Sequence, residues 1–292
     1  MKDYVIITDS GCDLPQEIIE SMGIKVVPMA LTIADKTYRH FHDCRELSME
    51  DFYSLIRAGY IGTTSCVSVG DASEEMENWL NKGYDILYLS FSSGMSGSYQ
   101  AANIAAESLK EEYSDSKIIV VDTLSGSIGL GMLSYLAVKY KDGHTIEETA
   151  DYIRSICLNI CHYFMVDDLK FIQKTGRVSK MSAIFGTALG IKPLFRLSDE
   201  GKVDLVDKIR GKKIRGKKVG IRRLTALATE GCTKSDIFFI CHADAFESAE
   251  QLSNGIKEKY PDAEVVINQV GPILGNNTGP GALAVIFYGA NR

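Results

Sequence analysis

The stretch Asp85-Ile-Leu-Tyr-Leu-Ser90-Phe-Ser-Ser-Gly-Met-Ser-Gly-Ser98 runs from an apolar segment of strand length into a Ser/Gly-rich turn. A helical pattern follows, so a strand delivers a donor-rich loop to a helix N-terminus, as in layered α/β proteins. Lys117 to Asp122 repeats the device. Upstream, Val5 to Thr8 reads as the first strand, Asp13 as the cap of a short helix with Pro15 in its first turn, and Lys25 to Leu31 as the second strand. Ser48 with Asp51, and Ser68 with Asp71, mark two further helix starts. Thr145 with Glu148 marks a third, with its helix running to about His162.

Downstream the pattern changes. Tyr163 to Val166 reads as a strand and Asp168 to Lys174 as a short helix. Lys192 to Leu197 and Lys202 to Asp207 flank Ser198-Asp-Glu-Gly201, a hairpin pattern that implies a mixed sheet. A helix over about Arg215 to Glu230, a strand Ile237 to Cys241, a helix to Tyr260, and strands Glu264 to Gln269 and Ala282 to Tyr288 complete the chain. The fold class is therefore α/β, with a parallel-sheet N-terminal domain over residues 1–162 and a mixed-sheet C-terminal domain over residues 163–292. No linker rich in Pro, Gly or Ser separates the halves, which are expected to pack closely.

Composition narrows the function classes. The chain has 292 residues and a net charge of −6, which disfavours phosphate backbones and anionic membranes as partners of the whole molecule. No apolar stretch has the length of a membrane span, and the N-terminus has no signal-peptide pattern. Seven scattered cysteines fit a reducing cytoplasm better than a disulfide framework. Cys157-x3-Cys161-His162 reads as a buried pair sharing a helical face rather than a metal site, because no second ligand pair stands at zinc spacing. No Walker A or Gly-x-Gly-x-x-Gly loop follows a strand, so no nucleotide cofactor is expected. Gly129-x-Gly131 lies in an apolar helical pattern and is expected to permit close packing.

Three segments could hold an anion: Gly62 to Ser68, Ser90 to Ser98 and Gly271 to Gly281. Each offers hydroxyls and free backbone N–H groups at a strand end. Such loops also occur simply as turns and caps, but three of the same chemistry favour a site. Ser93 can alternatively be read as a nucleophile, although Ser92-Ser-Gly-Met-Ser-Gly97 departs from the Gly-x-Ser-x-Gly elbow. From Lys208 to Arg223 the chain carries Lys and Arg without a single acid, a solvated helix face or a docking patch for an acidic or phosphate-bearing partner.

Taken together, several motifs resemble the DegV family of bacterial proteins, which includes the fatty-acid-binding subunit of bacterial fatty acid kinase. They are Ile-Ile-Thr-Asp9-Ser10-x-x-Asp13-Leu-Pro15, Thr64-Ser65-x-x-Ser68, Ser92-Ser93-Gly-Met-Ser96-Gly97 and Val121-Asp122-Thr123. Leu169 through Gly176-Arg177 to Ser179, Lys192-Pro193, Gly271-Pro272-x-x-Gly275 and Gly279-Pro280-Gly281 follow in order. The likeness covers nearly the whole chain.

The resemblance implies a two-domain fold with a long-chain fatty acid buried between the domains. It implies that Thr64 and Ser93 hold the carboxylate, with Ser65, Ser68 and Ser96 as neighbours. It further implies that the acid is presented to a separate ATP-dependent kinase subunit, with Arg177 and Arg210 at that contact, and that the chain itself is not an enzyme. Asn277 stands where relatives often carry a histidine, Cys66-Val67 where Gln-Pro is common, and Thr175-Gly176-Arg177 where Gly-Gly-Arg is frequent. Asn277 can donate a hydrogen bond but supplies neither a proton nor a positive charge. The alternative is an acyl hydrolase using Ser93.

Overall fold

Tyr4–Asp9 and Asp85–Ser90 are strands buried along their whole length, the state their apolar runs require when both faces of a parallel sheet are covered. They belong to a computed structural model that describes residues 2–176, 191–210 and 213–292. In chain order its first part holds β1 (Tyr4–Asp9), α1 (Gln16–Ser21), β2 (Lys25–Val27), β3 (Met29–Ile33), β4 (Lys36–His40), α2 (Met49–Arg57) and β5 (Thr63–Ser65). Next come α3 (Val69–Leu80), β6 (Asp85–Ser90), α4 (Ser98–Leu109), β7 (Ile118–Asp122), α5 (Ile128–Lys141) and α6 (Ile146–Ile156). The remainder has β8 (Ile160–Met165), α7 (Leu169–Thr175), β9 (Ile191–Leu197), β10 (Val203–Arg210) and α8 (Lys213–Gly231). It ends with β11 (Cys232–His242), α9 (Phe246–Lys259), β12 (Glu264–Gln269), α10 (Pro272–Thr278) and β13 (Leu283–Gly289).

The N-terminal sheet has the order β2-β1-β6-β7 and is parallel throughout. A small antiparallel sheet, β4-β3-β5, stands beside it. The C-terminal sheet has the order β10-β9-β8-β13-β11-β12, antiparallel except for the β11–β12 pair. The α/β class, with a parallel and then a mixed sheet, is as the sequence predicts. Strand β8 spans the division drawn between residues 162 and 163. No helix among the described residues is long and apolar enough to cross a membrane.

Helix α5 joins the two layers. Residues 128–134 are buried on every side, and the helix packs against β1 and β6 on one side and β8, β11 and β13 on the other. Close approach needs its two glycines. A Cβ at Gly129 would collide with the His162 ring, and one at Gly131 would meet the Cys12 carbonyl oxygen at 2.7 Å. Arg292 staples the far edge of this layer. Its guanidinium donates to the carbonyls of Leu124 (2.6 Å), Cys157 (2.8 Å), Ile160 (3.1 Å) and Ser198 (3.2 Å) and to Ser125 Oγ (2.7 Å).

Several local expectations change. Lys25 to Leu31 is two strands in different sheets, because Pro28 lacks the N–H that would continue the ladder. The Gly62 to Ser68 loop contains the edge strand β5. Helix α6 has the expected capping box of Thr145 and Glu148 but stops at Ile156. Cys157 then lies in a 3-10 turn and Cys161 in β8, so they share no helical face; both are free and buried. Asp13 does not cap α1 but ends the 3-10 turn Ser10–Cys12. Pro15 holds the N-cap position of α1, while Asp13, at φ 48°, turns its side chain inward.

Candidate functional site

A cavity of about 580 Å³ lies between the two halves, with both contributing to its lining. Its floor is one face of the C-terminal sheet, where side chains two residues apart share a side. His162 and Phe164 of β8, Ala284 and Ile286 of β13 and Cys241 of β11 line it. The register explains the set: His162 lies opposite Ile286, and Ala284 opposite both Phe164 and Cys241. Apolar walls come from Met29, Phe91, Met95, Ile172, Leu197 and Val203, and α10 adds Ile273 and Leu274. Among the described residues that line it there is no Lys or Arg.

Polar groups gather at one rim. Strand β5 brings Thr64 and Ser65, followed by Cys66; the turn before α4 brings Ser96 and Gly97; the end of α10 brings Asn277 and Thr278. Local contacts hold these three segments together. A Cβ at Gly97 would stand 3.5 Å from Cys66 Sγ, and Val67 N–H donates to Ser98 Oγ at 3.3 Å. Ser98 Oγ in turn lies 2.9 Å from Ser96 Oγ. Asn277 Nδ2 donates to the Ile273 carbonyl (2.7 Å) and Thr278 Oγ1 to that of Leu274 (3.1 Å), both within their own helix. Among the described residues, the Thr64 and Ser65 hydroxyls have no hydrogen-bond partner, so both are free to serve a ligand.

Of the residues singled out by sequence, Thr64, Ser65, Ser96 and Asn277 line the cavity and Ser93 does not. Ser93 is exposed, and its N–H donates to Asp122 Oδ1 at 3.2 Å. The loop divides at this point. Ser92 donates to the Gly201 carbonyl (2.8 Å) and Gly94 packs on Glu200, so this part faces the β9–β10 turn, while Ser96 bonds to Ser98 and Gly97 lies beside Cys66. Ser68 caps α3 by accepting from Asp71 N–H at 3.0 Å. Arg177 lies outside the described residues, and Arg210 is the last residue of β10. Lys192 is buried, and its ammonium pairs with Asp167.

Sequence reasoning missed the inner wall. His162 Nδ1 must donate to the Ile160 carbonyl (2.8 Å), which can only accept, and burial with Arg292 nearby keeps the ring neutral well below its ordinary range. Among the described residues its Nε2 has no hydrogen-bond partner, and it rests against Gly129. The signal was available, because period-two alternation through β8 places His162 and Phe164 on one face. Ser127, held at φ 52° and ψ −150°, has no such signal. It lines the cavity and donates to Asp13 Oδ2 at 2.6 Å. Asp13 Oδ1 accepts the Gly271 N–H at 2.9 Å, and Asn268 Nδ2 donates to the Asp13 carbonyl at 2.9 Å. Asp13 thereby joins the N-terminal layer to the loop that opens α10.

The DegV family model matches residues 3–290 of the chain. A DegV domain-containing protein of Clostridium perfringens is 36% identical over 293 residues, covering 100% of this chain and 99% of its own. The fatty acid binding DegV family protein of Streptococcus agalactiae, a solved structure, matches at TM-score 0.86 and 26% identity, covering 100% of both chains. DegV of Bacillus subtilis, also solved and described as a fatty acid binding protein, matches at TM-score 0.83 and 25% identity. That match covers 98% of this chain and 99% of that one.

Burial raises the Asp13 carboxyl to about 7, against the opposing pull of the Ser127 and Gly271 donors and with the buried Asp9 carboxyl adding to the rise. Its protonated folded form contributes stability that is fully present below the unfolded value near 3.8 and is lost as pH rises through about 7. Asp13→Asn mimics that form, since its amide can donate to Ser127 and accept from Gly271. Urea unfolding between pH 5 and 8 should show a smaller loss of stability with rising pH in the variant than in the wild type. Identical profiles would show that Asp13 takes up no proton in this window.

Proposed function

The chain belongs to the DegV family, and from that premise we propose that it binds a long-chain fatty acid, tail in the cavity and carboxylate at the donor rim. The observation that carries this reading is an apolar cavity between two sheets with neutral hydroxyl and amide groups gathered at one rim. Each methylene moved from water into such a cavity contributes about 0.8 kcal/mol, so the tail supplies most of the affinity. The rim then sets orientation. Thr64 and Ser65 bring unused hydroxyls, and Ser96 and Asn277 stand beside them. Hydrogen bonds from neutral donors stabilise a carboxylate in its charged form without an ion pair. The fatty acid binding neighbours of this fold support the same ligand class.

Exposure and the turn of its loop away from the cavity take Ser93 out of this reading and weaken the hydrolase alternative. Thr64→Val with Ser96→Ala should weaken palmitate binding by about 3–6 kcal/mol, the loss of two hydrogen bonds to a charged group. Ser93→Ala is the internal control and should bind as the wild type does. An unchanged affinity in the folded double variant, measured by titration calorimetry, would place the carboxylate elsewhere.

The same reading extends to a partner. On α8, Lys218, Arg222 and Arg223 are exposed while Ile221, Leu224 and Ala228 are buried, so a basic face points outward from an acidic protein. We propose that this face, with Arg177 and Arg210, docks a separate kinase subunit that phosphorylates the bound acid. Arg177→Glu with Arg210→Glu should abolish acyl phosphate formation by the paired proteins and leave palmitate affinity intact. Full activity of that variant with the kinase would eliminate the docking role.

A further inference from the structure

Strand β5 carries Thr64, helix α10 carries Asn277, and one buried side chain ties the two elements together. Asn276 is 1% exposed and does not line the cavity. Its amide reads both backbone groups of Gly62: Gly62 N–H donates to Asn276 Oδ1 at 2.7 Å, and Asn276 Nδ2 donates to the Gly62 carbonyl at 3.0 Å. This is the pattern of a strand partner, supplied by a side chain. Gly62 itself is confined on the other side. A Cβ there would collide with the Thr32 carbonyl and stand 3.0 Å from side-chain atoms of both Leu31 and Ile33. Two residues on, Thr64 pairs with Leu31 in the β3–β5 ladder. The start of β5 is therefore fixed between β3 and the Asn276 amide.

Helix α10 is seated on the same side by other contacts. Tyr53 Oη donates to the Val270 carbonyl at 2.8 Å, and a Cβ at Gly275 would meet Phe52 and Tyr53 side-chain atoms at 2.8 and 2.9 Å. These contacts set where α10 lies. Only the Asn276 fork sets how far β5 stands from it among the hydrogen bonds described.

We propose that Asn276 is a positioning residue: its bidentate bond to Gly62 sets the spacing between β5 and α10, and so the point at which Thr64 and Asn277 together meet the ligand's carboxylate. The proposal rests on the head-group reading above. A side chain that only held the fold together would affect every ligand alike, whereas one that sets donor spacing acts on the head group and leaves the tail's contribution unchanged.

Palmitic acid, 1-hexadecanol and myristic acid separate these effects in competition binding with a fluorescent fatty acid. In the wild type, palmitic acid should bind more tightly than 1-hexadecanol. In Asn276→Ala that preference should fall about tenfold, the loss of one well-placed hydrogen bond to a charged group. The ratio of palmitic to myristic acid affinity should keep its wild-type value. Asn276→Ser retains a hydroxyl for one of the two Gly62 groups and covers the case in which the alanine variant does not fold; its preference should fall by less. Equal loss of acid and alcohol affinity, or an acid preference at the wild-type level in a folded variant, would overturn the proposal. A wild type that binds the alcohol as tightly as the acid defeats the head-group reading, a result visible before any variant is made, and the proposal falls with it.

Discussion

Helix α5 has no polar face in its first two turns, so it must be covered on every side, and the molecule is arranged around that demand. A parallel sheet covers one side and a mixed sheet the other. Glycines at 129 and 131 let the helix sit directly on His162 and on the Cys12–Leu14 turn. Both layers are thus held against one rod. Gly126 and Ser127, which precede the helix, line the cavity that lies between the layers.

Its chemistry follows from what the two layers can bring to that gap. The sheet floor presents alternate side chains of β8, β13 and β11, which are apolar apart from a neutral histidine and a thiol. Polar groups reach the cavity from β5, from the turn before α4 and from the end of α10, and there they are hydroxyls and an amide. Among the described residues, Lys192 is neutralised by Asp167, and exposed Lys218, Arg222 and Arg223 lie on the outer helix. The Asp13 carboxyl takes no direct part at the rim. It links the first strand's turn, Ser127 at the cavity wall and the loop that opens α10.

The sequence was most informative where one element decides its own state. The apolar run of β6, the caps at Ser48, Ser68 and Thr145, and the β9–β10 hairpin are all found where periodicity and turn chemistry place them. It was less informative where tertiary contacts decide. Asp13 has the composition of a helix cap, yet its left-handed backbone turns it to partners at Ser127 and Gly271, far along the chain. Ser93 and Ser96 look equivalent in a Ser/Gly-rich loop, and only the path of that loop between Gly201 and Cys66 separates them. Asn276 carried no signal at all, because its partner is a glycine backbone across the site. The motifs resembling the DegV family singled out Thr64 and Asn277, which the structure places among the residues lining the cavity.

The central claim is that the cavity is a fatty acid site, and its most direct test is the content of the protein itself. Protein produced in bacteria, purified without detergent and then denatured, can be extracted and its lipids identified by mass spectrometry. The account predicts a long-chain fatty acid in near-equimolar amount with the protein. Recovery of no fatty acid, or the same trace amount from an unrelated protein purified in parallel, would contradict it.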